Sequence, residues 1–234
     1  MKTIYYAFLV ALLLSGSACS SDSKNTDEAE SLTTENSDEI VDEIGEGKRY
    51  GIRTAKYTTR TTQVGAPAEM DIQSTVYFDN YGLNEFIETT TKVSVAGYKS
   101  ETRSFSLRRG TMMYNWSDGQ NAGTKMDVAD MADKNINYED ISEEMKAQFK
   151  YKELGHETIL GKDCLKISMD MQQGSKVEVS TWKGLPMRSV ADMMSIKATI
   201  EVTSLDENPG DIKDKLAVPE DISFAEMSFP GKAK

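Results

Sequence analysis

Histidine and cysteine are nearly absent from this chain: its 234 residues hold one histidine, His156, and two cysteines, Cys19 and Cys164. A lone histidine with no cysteine beside it lacks the ligand spacings that hold zinc. Two cysteines cannot staple a small exported fold as a disulfide framework does. No Gly-x-Ser-x-Gly elbow is present to aim a nucleophilic serine, and no Asp-x-Asp-x-Asp-Gly loop to wrap calcium. Basic residues number 27 against 38 acidic ones, for a formal charge of −11, so the electrostatic footprint of a nucleic-acid binder is missing. Long apolar runs are missing too. The uninterrupted run from Ile4 to Leu14 is too short to cross a bilayer. With no catalytic constellation and no metal or cofactor motif, the expectation is a protein that is not an enzyme and carries no cofactor.

That short run is informative as a secretory signal. Lys2 precedes it and Ser15-Gly16-Ser17-Ala18 follows it, directly ahead of Cys19, which is the order of a charged, an apolar and a small-residue region. The arrangement resembles the lipobox of bacterial lipoproteins, with Gly16 at the position where leucine is usual. The resemblance implies that residues 1–18 are removed and that Cys19 is diacylated, anchoring the chain to a membrane through more than one acyl chain. The other reading is an ordinary signal peptide cut near Ala18, which leaves Cys19 a free thiol. Residues 20–46 contain ten acidic side chains against Lys24 alone. One-sign charge with little apolar surface reads as a disordered tether. Acidic residues just behind Cys19 also resemble signals that carry lipoproteins to the outer face of the outer membrane. The expected location is the outer membrane, facing the periplasm or the cell surface.

Residues 47–234 are long enough for one sizeable core and read as a single domain. Period-two alternation dominates. Arg49 to Thr62 is dense in β-branched and aromatic residues. Met70, Ile72, Val76 and Phe78 share one strand face, and Asp79-Asn80-Tyr81-Gly82 has the chemistry of a turn. Ile87, Thr89, Thr91, Val93 and Val95 are in phase until Gly97. Phe105 and Leu107 mark a further strand, and Thr111–Trp116 another. Between Gly119 and Glu153 the period changes: Val128 and Met131 fit a short helical piece, while Ile141, Met145 and Phe149 recur every four residues, an amphipathic helix that Asn137 would cap. A meander then runs from Leu160 to Val202. Leu165, Ile167, Met169 and Met171 form its apolar row, Val177 and Val179 continue it, and Ile196, Ala198, Ile200 and Val202 are in phase on a later strand. A helical turn at Asp211–Leu216 and a tail containing Val218-Pro219 and Phe224 end the chain.

Three segments in this order, Tyr77–Gly82, Gly155–Cys164 and Trp182–Arg188, resemble those of the lipoprotein-carrier (LolA/LolB-like) superfamily. Leu216-Ala217-Val218-Pro219 is similar to that group's terminal strand end, with leucine in place of phenylalanine. The resemblance implies an α+β domain: a strongly curved antiparallel sheet, an open half-barrel, with a small helical cap on its concave side and room for acyl chains or another apolar molecule. Ile167, Met169, Met171, Met145 and Phe149 are the expected apolar lining. Twelve methionines beyond Met1 suit an adaptable cavity, and equally suit irregular gaps in a curved core. The alternative is a non-catalytic subunit with a filled interior that offers its rim or outer face to an envelope protein partner.

The remaining candidates have plainer readings. His156 sits at a strand entry and reads as structural or solvent-facing. Asp127, Asp130 and Asp133 read as a solvated edge. Cys164 shares the parity of Lys166 and Ser168, and Trp182 that of Glu178 and Ser180, so both are expected outside the cup. Trp116 and Trp182 read as covers for core edges in preference to sugar platforms.

Overall fold

The structure, a computed structural model, describes residues 48–64, 69–129, 138, 141–170, 175–193 and 196–227. The chain separates into residues 1–46 and 47–234, and all described residues belong to the second unit. Cys19, Asp130, Met131, Asp133, Asn137, Met171 and Met194 lie outside the described residues, so the readings placed on them have no structural counterpart.

The strands are β1 (Ala55–Val64), β2 (Glu69–Asp79), β3 (Asn84–Val95), β4 (Tyr98–Arg109), β5 (Met112–Ser117), β6 (Ala122–Asp127), β7 (Lys152–Ile159), β8 (Lys162–Asp170), β9 (Lys176–Trp182), β10 (Leu185–Met193), β11 (Ile196–Asp206) and β12 (Ser223–Glu226). They form one open, curved 12-stranded sheet in the order β12-β6-β5-β4-β3-β2-β1-β11-β10-β9-β8-β7. Neighbours are antiparallel except β12, which runs parallel to β6. Chain order and spatial order agree from β1 to β6 and again from β7 to β11, so the sheet is two meanders joined where β1 pairs with β11.

Local chemistry sets the hairpins. Ala96-Gly97, Leu160-Gly161 and Lys183-Gly184 all have positive φ at both residues, and each joins directly paired residues: Val95 with Tyr98, Ile159 with Lys162, Trp182 with Leu185. Two left-handed residues match the right-handed twist of the flanking strands. The turn after β2 is longer, joining the paired Asp79 and Asn84 through four residues. Asn80, Tyr81 and Gly82 have φ of 49°, 58° and 86°, and the Asp79 carboxylate accepts the Asn80 N–H at 2.7 Å. A Cβ on Gly82 would sit 2.6 Å from the Tyr50 ring, so glycine here serves both the dihedral and the packing.

Helix is scarce among the described residues. The amphipathic segment appears as α1 (Glu143–Gln148), capped by the Ser142 hydroxyl accepting from Met145 N at 3.3 Å, and none of its residues is buried. The helical piece expected at Val128 does not begin there: Val128 continues the β6 edge, donates its N–H to Thr111 O at 2.7 Å and packs fully buried with Met113 and Met126. The expected turn near the end of the chain is a 3-10 helix, Lys213–Leu216.

Register assigns one face to Tyr57, Val76 and Ile87, continuing through Val202, Val179, Ile167 and Met169; this is the inner face. The main core lies at one end of it, where Tyr50, Tyr57, Val76, Phe78, Met187, Leu185 and Cys164 are buried together. Each large apolar side chain so buried contributes about 1.5–3 kcal/mol. A second core sits on the opposite, outer face. There Phe86 and Leu107 are covered by Ile212 and Leu216, with Phe105, Trp116 and Val218 packed around them.

Candidate functional site

The inner face is built from two kinds of residue. On β8 and β9, Ile167 pairs with Val179 and Met169 with Val177, and all four are at most 6 % exposed. In the middle of the sheet the same face carries small side chains: Ala191 opposite Ala198, and Thr59 opposite Ser74, which hydrogen-bonds Thr89 at 2.9 Å. Thr59, Ser74, Ala191 and Ala198 are at most 9 % exposed, so this part of the face is buried.

Of the residues expected to line a cavity, Ile167 and Met169 are adjacent on this face. Phe149 is brought to it through the backbone: its carbonyl accepts the Asp170 N–H at 2.6 Å, one residue beyond Met169. Met145 and Phe149 are half-buried. Leu165 is only half-buried and instead lines a groove of about 450 Å³ with Tyr138, Ile141, Tyr151, His156 and Trp182. His156 sits on the rim of that groove, its Nδ1 3.0 Å from Asp163 Oδ1.

Cys164 and Trp182 differ from the expectation. Neither lies outside the cup: both pack into the main core at one end of the inner face. The segment before β1 closes over this end of the core, with Gly51 N donating to Lys183 O at 2.7 Å and Ile52 packed on the core. Cys164 is therefore fully buried and belongs to that core. Its thiol contacts Lys162 O at 3.5 Å, and burial raises its pKa, so the nucleophilic thiolate is disfavoured. Trp182 packs on the same core at half burial, with Lys162 and Lys183 over its ring at 4.3 and 4.8 Å.

A buried polar cluster at the end of the inner face has no counterpart among the expectations above. Glu85, 5 % exposed, accepts from Arg49 Nη1 at 3.0 Å and from the Tyr50 hydroxyl at 2.7 Å. Arg108, 6 % exposed, donates to Gly110 O at 2.9 Å. Burial lowers the Arg49 pKa, but the Glu85 carboxylate more than offsets it and holds the guanidinium above its ordinary range. Burial, with the nearby Arg49 charge, pushes Arg108 down to about 10. Burial drives the Tyr50 and Tyr57 phenols up, so both stay neutral. The signal that would have found the cluster is Glu85 itself, a charge in phase with Ile87 on an inward-facing row. The Tyr81 carbonyl positions Arg49 and Tyr50 by accepting both backbone N–H groups, at 2.9 and 3.1 Å.

No metal-ligand cluster of three or more His, Cys, Asp or Glu side chains occurs among the described residues. None of their helices is long and apolar enough to cross a membrane.

No protein-family model and no curated protein sequence matches this chain. Solved structures do. An uncharacterised conserved protein from Thermus thermophilus superposes with a TM-score of 0.47 at 12 % identity, over 75 % of this chain and 91 % of its own. The Pseudomonas aeruginosa MucA/MucB complex gives 0.44 at 11 %, over 80 % of this chain and 64 % of that one. A Vibrio parahaemolyticus domain assigned to outer membrane lipoprotein sorting gives 0.30 at 10 %, over 70 % and 89 %.

Proposed function

We propose that this chain is an envelope lipoprotein, held at the outer membrane by lipid on Cys19, whose curved sheet binds a lipid or another apolar molecule without catalysing a reaction. The observation that supports this most is the inner face: small, buried side chains at Thr59, Ser74, Ala191 and Ala198 bordered by Ile167, Met169, Val177 and Val179. An apolar guest laid over the centre would gain about 25 cal/mol per Å² of apolar surface removed from water. In this reading Met145 and Phe149, with the flanking helical segment, form the cap on the concave side.

A second reading has its own support. The same small residues are at most 9 % exposed, as in a filled interior, and a filled cup would serve as an interaction subunit presenting its rim or outer face to an envelope protein. The two readings part on occupancy. Titrating the full chain with a fluorescent fatty acid is expected to give saturable binding that Ala198→Leu with Met169→Trp weakens at least tenfold while the far-UV spectrum is unchanged. Binding unaffected by that pair would rule out this face as the site, and no binding at all would favour the filled interior.

A further inference from the structure

The aromatic row on the outer face ends in an open groove unconnected with the inner face. Trp116 on β5 and Phe105 on β4 are directly paired. Their rings lie 5.3 Å apart and only 25° from parallel, and both are half-buried. They form part of a groove of about 380 Å³ between the β5–β6 turn and the segment entering β12, within the ~300–1,000 Å³ of small-molecule sites.

The platform is braced from behind. Phe224 meets Trp116 edge-on at 5.8 Å and 80°. It can do so because Gly123 lacks a side chain: a Cβ there would stand 2.8 Å from the Phe224 ring and 2.6 Å from Asn115 O.

The rim supplies polar groups of one kind. Asp118, Gln120, Asn121 and Asp221 line the groove and are exposed. Their backbone is pinned: Asp118 N donates to Arg103 O at 2.9 Å, Gln120 N to Ser117 O at 3.2 Å, and Asn121 O accepts from Ser223 N at 2.9 Å. Their side chains make no hydrogen bonds of their own among the described residues, leaving carboxylate and carboxamide groups available on a fixed frame. No lysine, arginine or histidine lines the groove. Arg103, whose guanidinium lies over the Phe105 ring at 5.3 Å, is paired with Glu88, Nε to Oε1 at 3.0 Å, and is attracted more weakly to Asp118.

We propose that this groove binds a neutral saccharide, with one pyranose face stacked on Trp116 and its hydroxyls donating to Asp118 and Asp221 and bonding the Gln120 and Asn121 amides. A pyranose has both properties the groove offers to meet, a flat face of polarised C–H bonds for the negative face of an aromatic ring and a periphery of hydroxyl donors. A purely apolar guest would leave four polar side chains without use. An anionic one would meet two carboxylates, with the nearby Arg103 already engaged by Glu88.

The test uses the full chain labelled with ¹⁵N and follows its two tryptophan indole resonances while glucose, galactose, mannose, chitobiose and glucuronate are added. The expected result is a saturable shift of Trp116, with Trp182 unmoved, for at least one neutral sugar, and glucuronate binding at least tenfold more weakly. Gln120→Ala with Asp221→Ala, both exposed, should weaken the neutral sugar at least tenfold and leave the remaining spectrum in place. The proposal is overturned by no saturable Trp116 shift with any neutral sugar, by glucuronate binding as well as the neutral sugars, or by a response the rim variant does not diminish.

Discussion

The outer face of this sheet has two halves that solve the same problem differently. On β8 to β11 it is a ladder of charges: Lys166 and Lys176 flank Glu178 at 3.0 and 3.2 Å, and Arg188 reaches both Glu157 and Glu201 at 3.4 and 3.6 Å. On β2 to β5 it carries Tyr77, Phe86, Leu107, Phe105 and Trp116 under a C-terminal segment that contributes Ile212 and Leu216. The first half is apolar on its inner face alone, as an antiparallel sheet with one solvated face is expected to be. The second carries apolar side chains on both faces, with Phe86 outward and Ile87 inward on consecutive residues. The lesson is that strand alternation reports what covers each face: where a distant piece of chain arrives, the polar half of the pattern disappears.

The sharpest way to strain that comparison is at Glu85, where the charged cluster on the inner face backs onto the aromatic half. Glu85→Gln leaves the buried Arg49 guanidinium without its carboxylate, and breaking a buried pair on one side costs about 3–5 kcal/mol. Urea unfolding should show that loss as a lower midpoint. Leu107→Ala, at a fully buried position under Leu216, should cost about 2–5 kcal/mol and loosen the C-terminal segment, read as faster amide exchange at Lys213–Leu216. Exchange unchanged there would mean the segment is held by something other than the aromatic half.

The smallest effect belongs to the charged ladder. Hydrogen bonds from Lys166 and then Lys176 lower the Glu178 pKa in the folded chain. Its contribution is therefore present above the unfolded carboxylate value of about 4.3 and lost as pH falls through the lower folded value. Because the group is partly solvated, Glu178→Gln should remove no more than about 1 kcal/mol at pH 7. The difference from the wild type should vanish on acidification. A larger loss would make the ladder a structural element comparable to the aromatic half.

Much of the sheet was legible in the residues. Met70, Ile72, Val76 and Phe78 alternate in β2, glycine ends three hairpins, and the row Ile167, Met169, Val177, Val179 faces inward as its parity requires. The illegible parts share a physical cause. In β4 only Phe105 and Leu107 were read, because residues 98–104 are exposed on both faces and carry no alternation. β7 and β12 are the sheet's edges and β6 lies next to one, so burial imposes little pattern on them. Arg49–Thr54 looked like strand but returns to the Tyr81 carbonyl, a contact set by the left-handed turn. Cys164, read outside the cup from its parity with Lys166 and Ser168, is instead buried in the main core, since no strand pattern announces that residues 48–54 will close over that end. The charged cluster was hidden for a related reason: Glu85 and Arg108 meet through strand register, and Arg49 joins them through the left-handed turn at Tyr81.

The central claim, that the inner face holds an apolar molecule, is tested most directly by native mass spectrometry of the full chain after gentle extraction from its host membrane. The account predicts a population carrying an additional mass of lipid size, displaced by the fluorescent fatty acid and depleted in the Ala198→Leu, Met169→Trp protein. A single ligand-free mass, with no uptake when lipid is added, would contradict it.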